Sequence, residues 1–226
     1  IKTSRRIQPK KHKRHWEVPY NIVESNVQYS RAGHTMTSVL NDDMIIIFGG
    51  LNMDNVCTNS VLIYDKHDNS ISEVETTAKT DKDKPPCLAY HTATKLPNDK
   101  IVIIGGQNGL VMNSAVYIFD TNHGSWKCVV HKNDGISFSH HTSTLIGNYI
   151  YIIVHDLVYT LNITTWQYMK CNHNNLILKR HKEAAFMDHS AIAYGQYIYI
   201  YGGTIVSGKT SSTKSGKEYV RCSNKL

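Results

Sequence analysis

Thirteen histidines in 226 residues are the first groups in this sequence that could do chemistry, as metal ligands or proton carriers. Four of them recur in one setting: His34, His91, His141 and His189 are each followed by Thr or Ser, at spacings of 57, 50 and 48 residues. A metal site needs several donors converging on one point. Four residues at equivalent places in four repeated units point in four directions. Their expected role is structural: a ring hydrogen-bonded within its own unit, with the adjacent hydroxyl satisfying a turn. A second group, His12, His15 and His140–His141, is loosely spaced among basic residues, which disfavours a divalent cation and reads as solvated surface.

The other chemical motifs assign no catalytic residue, no cofactor and no metal. There is no Gly-x-Ser-x-Gly, and no Gly-x-Gly-x-x-Gly. Gly208-Lys209-Thr210 echoes the end of a phosphate-binding loop, but no helix pattern follows it. The five cysteines, Cys57, Cys87, Cys128, Cys171 and Cys222, form no Cys-x-x-Cys pair and read as reduced structural thiols of a cytoplasmic or nuclear protein. The one sequon, at Asn162, lacks a secretion signal to give it meaning.

The formal charge of +7 is unevenly distributed. Ile1 to Trp16 carries seven basic residues and no acid, whereas Glu17 to Val206 carries thirteen basic and seventeen acidic residues. A basic end of this kind makes weak contact with polyanions and gives no base readout. No run approaches the ~20 apolar residues needed to span a bilayer. The first residue is Ile1 rather than Met, so the chain is read as a fragment or processed form.

Around the four histidines a longer pattern repeats. From each His it is 15, 14, 13 and 13 residues to a pair: Gly49-Gly50, Gly105-Gly106, Val154-His155 and Gly202-Gly203. Apolar runs such as Met44–Phe48 precede these pairs, with the composition of strands buried on both faces. A further apolar run ends in Tyr64-Asp65, Phe119-Asp120 or Leu161-Asn162, and the terminal acid or Asn suits a turn. Trp126 and Trp166 follow in two repeats, with Ile71 in that place in the first. Tyr117, Tyr149, Tyr151, Tyr197, Tyr199 and Tyr201 fall at strand-packing positions. Each repeat reads as four strands, and no segment keeps a 3.6-residue apolar period. The chain is expected to be all-β.

These recurring features resemble the kelch repeat, whose units of about 50 residues form four-stranded β-propeller blades. The resemblance implies an all-β, kelch-type propeller of antiparallel blades with an incomplete ring: about three full blades plus parts. The expected divisions are a basic segment over 1–15, the last strand of a preceding blade over 16–30 (around His15–Val18), and blades over 31–76, 77–131 and 132–171. A partial fourth blade with a flexible basic tail takes 172–226, Glu218–Cys222 being a candidate third strand. The shortened third repeat, with Val154-His155 for Gly-Gly, should have an altered hairpin.

A resemblance of this kind implies a non-catalytic scaffold or adaptor that binds another protein through its loops, regulatory or within a larger complex. The pattern is nearer kelch proteins of fungal and protist signalling than ubiquitin-ligase adaptors, whose BTB and BACK modules are not seen here. The loops expected to carry recognition are Leu51–Ser60 (with Asn52, Asp54 and Asn55), Gln107–Ser114 (with Gln107, Asn108 and Leu110) and Thr204–Lys217. The charged segment Glu75–Pro86 is either a further contact or simply a mobile loop. The remaining blades would come from the rest of the chain or from another chain. Two other classes stay open: a metal-dependent oxidase-like propeller enzyme, and an accessory subunit of a nucleoprotein assembly held by the basic N-terminal segment.

Overall fold

The computed structural model of the chain describes residues 29–155, 157–171, 186–195, 197–207, 210–213 and 217–221; the expected strand at His15–Val18 lies outside them. Among these residues the chain forms four sheets in sequence order. The first contains β1 (Thr35–Val39), β2 (Met44–Phe48), β3 (Val61–Asp65) and β4 (Ser70–Val74), in that spatial order and antiparallel throughout. In the second sheet β6 (Ala89–Lys95), β7 (Lys100–Asn108), β9 (Val116–Asp120) and β10 (Ser125–Val130) repeat that order. Here β5 (Thr77–Ala78) adds a parallel strand outside β10, and β8 (Val111–Met112) folds back on the end of β7. The third is β11 (Thr142–Ile146), β12 (Tyr149–Val154), β13 (Leu157–Asn162) and β14 (Tyr168–Lys170). The fourth holds β15 (Phe186–Tyr194) and β16 (Tyr197–Ser207), with β17 (Thr210–Thr213) and β18 (Lys217–Arg221) both paired to β16.

The second strands of the two middle sheets are apolar on both faces because each of these sheets is sandwiched between two others. In β7, Ile101 and Ile103 join Phe48 and Ile46 of the first blade, while Val102 and Ile104 join Ile150 and Ile152 of the third. In β12, Tyr151 and Ile153 turn the other way, onto Ile198 and Ile200 of the fourth. The period-2 alternation of a strand thus serves two cores at once.

Several expectations need correction. Thr204–Lys217 is not a loose tail: β16 runs through Ser207 and turns back as β17. The candidate strand at Glu218 begins one residue earlier, and β18 takes on β16 the place β3 takes on β2. Glu75–Pro86 is not a mobile loop either. It lays β5 along the outer edge of the second blade, then makes a 3-10 turn at Asp81–Asp83, whose Asp83 Oδ1 accepts from the Cys128 N–H at 3.1 Å. That covers an edge strand that would otherwise offer unpaired backbone groups.

Trp166 does not match Trp126. Trp126 lies six residues after Asp120, buried opposite Phe119, and Ile71 lies opposite Tyr64 in the same register. The residue in that register in the third blade is Tyr168, opposite Leu161. Trp166 sits in the preceding turn at φ 57°, where the other blades have Asn69 and Gly124 at φ 58°. The turn acids do behave as read: Asp65, Asp120 and Asn162 each accept from the N–H two residues on, at 2.8, 3.1 and 2.8 Å.

Candidate interaction face

The repeated histidines build the joints between blades, not contacts within one. Thr35 Oγ1 lies 2.9 Å from His91 Nε2, Thr92 Oγ1 2.9 Å from His141 Nε2, and Thr142 Oγ1 2.8 Å from His189 Nε2. The expected bonding inside one blade is corrected at Nε2, which meets a hydroxyl of the preceding blade because the first strands lie side by side. The glycine pairs belong to the same joints. The N–H of Gly50 donates to the Leu88 carbonyl at 2.8 Å, and that of Gly106 to Phe138 at 2.7 Å, each three residues before the next blade's His. A Cβ on Gly49 or Gly105 would come within 2.4 Å of that same carbonyl oxygen. Val154 and His155 replace the pair where β12 turns directly into β13, pairing Val154 with Leu157, so the altered hairpin is as expected.

Burial holds these rings neutral. Desolvation, helped by neighbouring His34 and only partly opposed by the Leu88 carbonyl, brings His91 down to about 4. Desolvation and then His91, His189 and His140 bring His141 down to about 3. His34 and His189 are also lowered, chiefly by burial. A ring buried, neutral and bonded to a hydroxyl is a strut between blades.

The second-to-third-strand connections emerge at the end of the blades where these joints lie. Leu51 bridges to Ala32 and Cys57, and Asn52 Oδ1 accepts from Asp54 N at 3.0 Å and Val56 N at 2.9 Å. Asn55 closes this turn at φ 57°. In the second blade Gln107 and Asn108 are the end of β7, paired to Met112 and Val111, and Leu110 stands fully exposed at the hairpin tip. That stretch, read as a loop, is therefore a rigid ribbon. The two connections touch: Cys57 Sγ lies 3.9 Å from the Gln107 carbonyl. Their tips carry Met53, Val56, Leu110 and Val111, all exposed. Asn52 and Asn55, among the expected recognition residues, shape the turn that presents Met53 and Val56.

Two supporting residues had no clear mark in the sequence. Arg31 reaches from the start of the first blade to the Gly49 and Ser60 carbonyls at 3.3 and 3.4 Å and to Ser60 Oγ at 2.8 Å, pinning the base of the loop. Asn113 is buried and donates to the Gly105 and Ala115 carbonyls at 3.1 and 2.8 Å. Its place before Ser114-Ala115 resembles Asn59-Ser60, a parallel that aligning the two loops would have exposed.

Among the described residues no three His, Cys, Asp or Glu side chains are grouped to hold a metal ion. Cys57, Cys87, Cys128 and Cys171 are free thiols. Burial first, then Cys87, pushes Cys57 up to about 11, and burial also raises Cys128 and Cys171, so these three are not activated thiolates. Among the described residues no helix is long and apolar enough to cross a membrane.

Residues 10–203 match the family model described as the KLHDC2/KLHL20/DRC7 Kelch-repeats domain. The chain belongs to the kelch-repeat family. Among curated proteins, this kelch chain is 28% identical over 137 residues to "Kelch repeat and BTB domain-containing protein 2" of Ectromelia virus (strain Moscow), covering 59% of the chain and 22% of that protein. It is 25% identical over 141 residues to "Dynein alpha chain, flagellar outer arm" of Chlamydomonas reinhardtii, covering 61% of the chain and 3% of the dynein. The chain thus spans about a fifth of one relative and a far smaller share of the other. A kelch propeller is a protein-interaction module.

Proposed function

We propose that this kelch chain is a non-catalytic scaffold that binds a partner protein through the face carrying the Leu51–Ser60 connection and the β7–β8 hairpin. One observation carries the reading: two adjacent connections, each braced from below, lift Met53, Val56, Leu110 and Val111 into solvent. Rigid apolar tips of this kind lose little entropy on docking. The test compares two full-length variants, Leu110→Asp with Val111→Asp on this face and Lys66→Glu with His123→Glu on the opposite turns. The partner recovered with the wild type should be lost with the first and kept with the second, both proteins melting normally. Equal loss, or none, rules out this face.

A further part of the reading is that the ring continues beyond the fourth blade. In the first blade Thr35 and Phe48 face the next blade, and Phe48 is 2% exposed; in the fourth, Ser190 and Tyr201 hold those positions and Tyr201 is 58% exposed. Among the described residues nothing lies within 4 Å of where a Gly202 Cβ would stand, whereas Gly49 and Gly105 are closed in. The half-joint fits another blade with a His three residues after a free carbonyl, from this polypeptide or another. We propose a cytoplasmic or nuclear location, a reading that the free thiols of Cys57, Cys87, Cys128 and Cys171 support.

A further inference from the structure

The residues just before the four repeated histidines, Gly33, Tyr90, His140 and Asp188, form a second feature at the inner end of the same face. All four have positive φ, at 65°, 57°, 55° and 56°. Glycine takes this conformation freely and other residues do not. Their backbones form a belt from blade to blade: Tyr90 N donates to the Gly33 carbonyl at 2.8 Å, His140 N to Tyr90 at 3.3 Å, and Asp188 N to His140 at 3.3 Å. The belt asks for glycine at each place, and only the first blade supplies it. The three side chains kept against that preference stack on one another. The Tyr90 ring covers Gly33, His140 stacks on Tyr90 with centroids 4.3 Å apart, and His140 Nδ1 lies 2.6 Å from Asp188 Oδ1.

The polar atoms left at the end of this stack are acceptors. An ionised carboxylate only accepts, so the His140 Nδ1 carries the proton and donates to it, and in that neutral tautomer Nε2 is a bare acceptor. Among the described residues Nε2 makes no hydrogen bond, and Asp188 keeps spare lone pairs with its side chain 58% exposed. One carboxylate and one imidazole are too few to hold a metal ion. A row of acceptors beside stacked rings instead matches a planar cation made only of donors, which is the guanidinium group.

We propose that the Tyr90–His140–Asp188 column at the axial mouth is a binding site for an arginine side chain of a partner protein. Asp188 accepts the guanidinium fork, His140 Nε2 accepts a further N–H, and the stack supplies its aromatic surface. None of these residues lies in the two connections invoked above, so the site is separable from them.

The test is an NMR titration of the full chain at neutral pH with acetyl-arginyl-glycinamide, its citrulline analogue, and the lysine analogue. Saturable shifts should appear at the Tyr90, His140 and Asp188 amides with arginine, at least tenfold weaker with citrulline and weaker with lysine. Asp188→Asn should lose the response while retaining the wild-type melt. No shift at these amides, or equal binding of arginine and citrulline by the wild type, would overturn the proposal without reliance on any variant. Unchanged arginine binding by a folded Asp188→Asn chain would do the same.

Discussion

Replacing Gly105 by Ala and, separately, Gly202 by Ala separates backbone strain from the closeness of a neighbouring blade. Both glycines have positive φ, 65° and 75°, so both variants force alanine into the left-handed region at a cost of about 1–2 kcal/mol. Only Gly105 adds a collision, with its new Cβ 2.4 Å from the Phe138 carbonyl oxygen and 2.7 Å from His141 Cε1. Relief requires the third blade to move back by most of an ångström. That strains the Gly106 N–H to Phe138 bond, costing about 1 kcal/mol, and disturbs a packed joint, costing about 1–3 kcal/mol. The sum is roughly 3–6 kcal/mol at Gly105 against about 1–2 kcal/mol at Gly202. Urea unfolding of the two full-length variants, read at equal slopes, measures the difference. Equal losses would refute the joint as drawn, and a larger loss at Gly202 would mean that its slot is already filled.

Three further outcomes follow from the same joints. His91 and His141 are held at about 4 and about 3 when folded, below the ordinary histidine value, so the unfolded chain binds more protons between those limits. Stability should be nearly complete above about pH 7 and fall by roughly 4 kcal/mol between pH 7 and 5; a flat profile of urea midpoints would contradict this. Thr92→Val leaves His141 Nε2 buried without its partner and should cost about 1–3 kcal/mol by the same assay, whereas Ser190→Ala, which ends no described joint, should cost almost nothing. Where another copy of the chain fills the half-joint, light scattering should show the wild type associating through its fourth blade and Ile192→Lys with Tyr201→Lys suppressing this; association that the two lysines leave unchanged would contradict an open half-joint.

What the sequence made legible was whatever repeats at fixed offsets. The His-Thr pairs, the Gly-Gly pairs and the turn acids marked four blades, and the third repeat's lost glycines announced its tighter hairpin. What it hid was direction. A histidine that bonds the preceding blade and one that bonds its own leave the same mark in one sequence, because spacing along the chain says nothing about which neighbour a ring meets. Trp166 misled for a related reason: the eye follows the rare residue, but the register follows the distance from the turn acid, which selects Tyr168. Composition also misjudged Thr204–Lys217, where Ser, Thr, Gly and Lys suggested a linker yet the backbone simply extends the β16 hairpin. The candidate face was half visible, its loops foreseen but its apolar tips and the Arg31 and Asn113 braces not.

The most direct test of the interaction face is hydrogen exchange on the full chain with and without the partner that the wild type retains. Protection is expected across Leu51–Ser60 and Gln107–Ser114, with the opposite turns at Lys66–Asn69 and Thr121–Gly124 exchanging as they do in the free chain. Protection confined to those opposite turns, with both connections unchanged, would contradict the account.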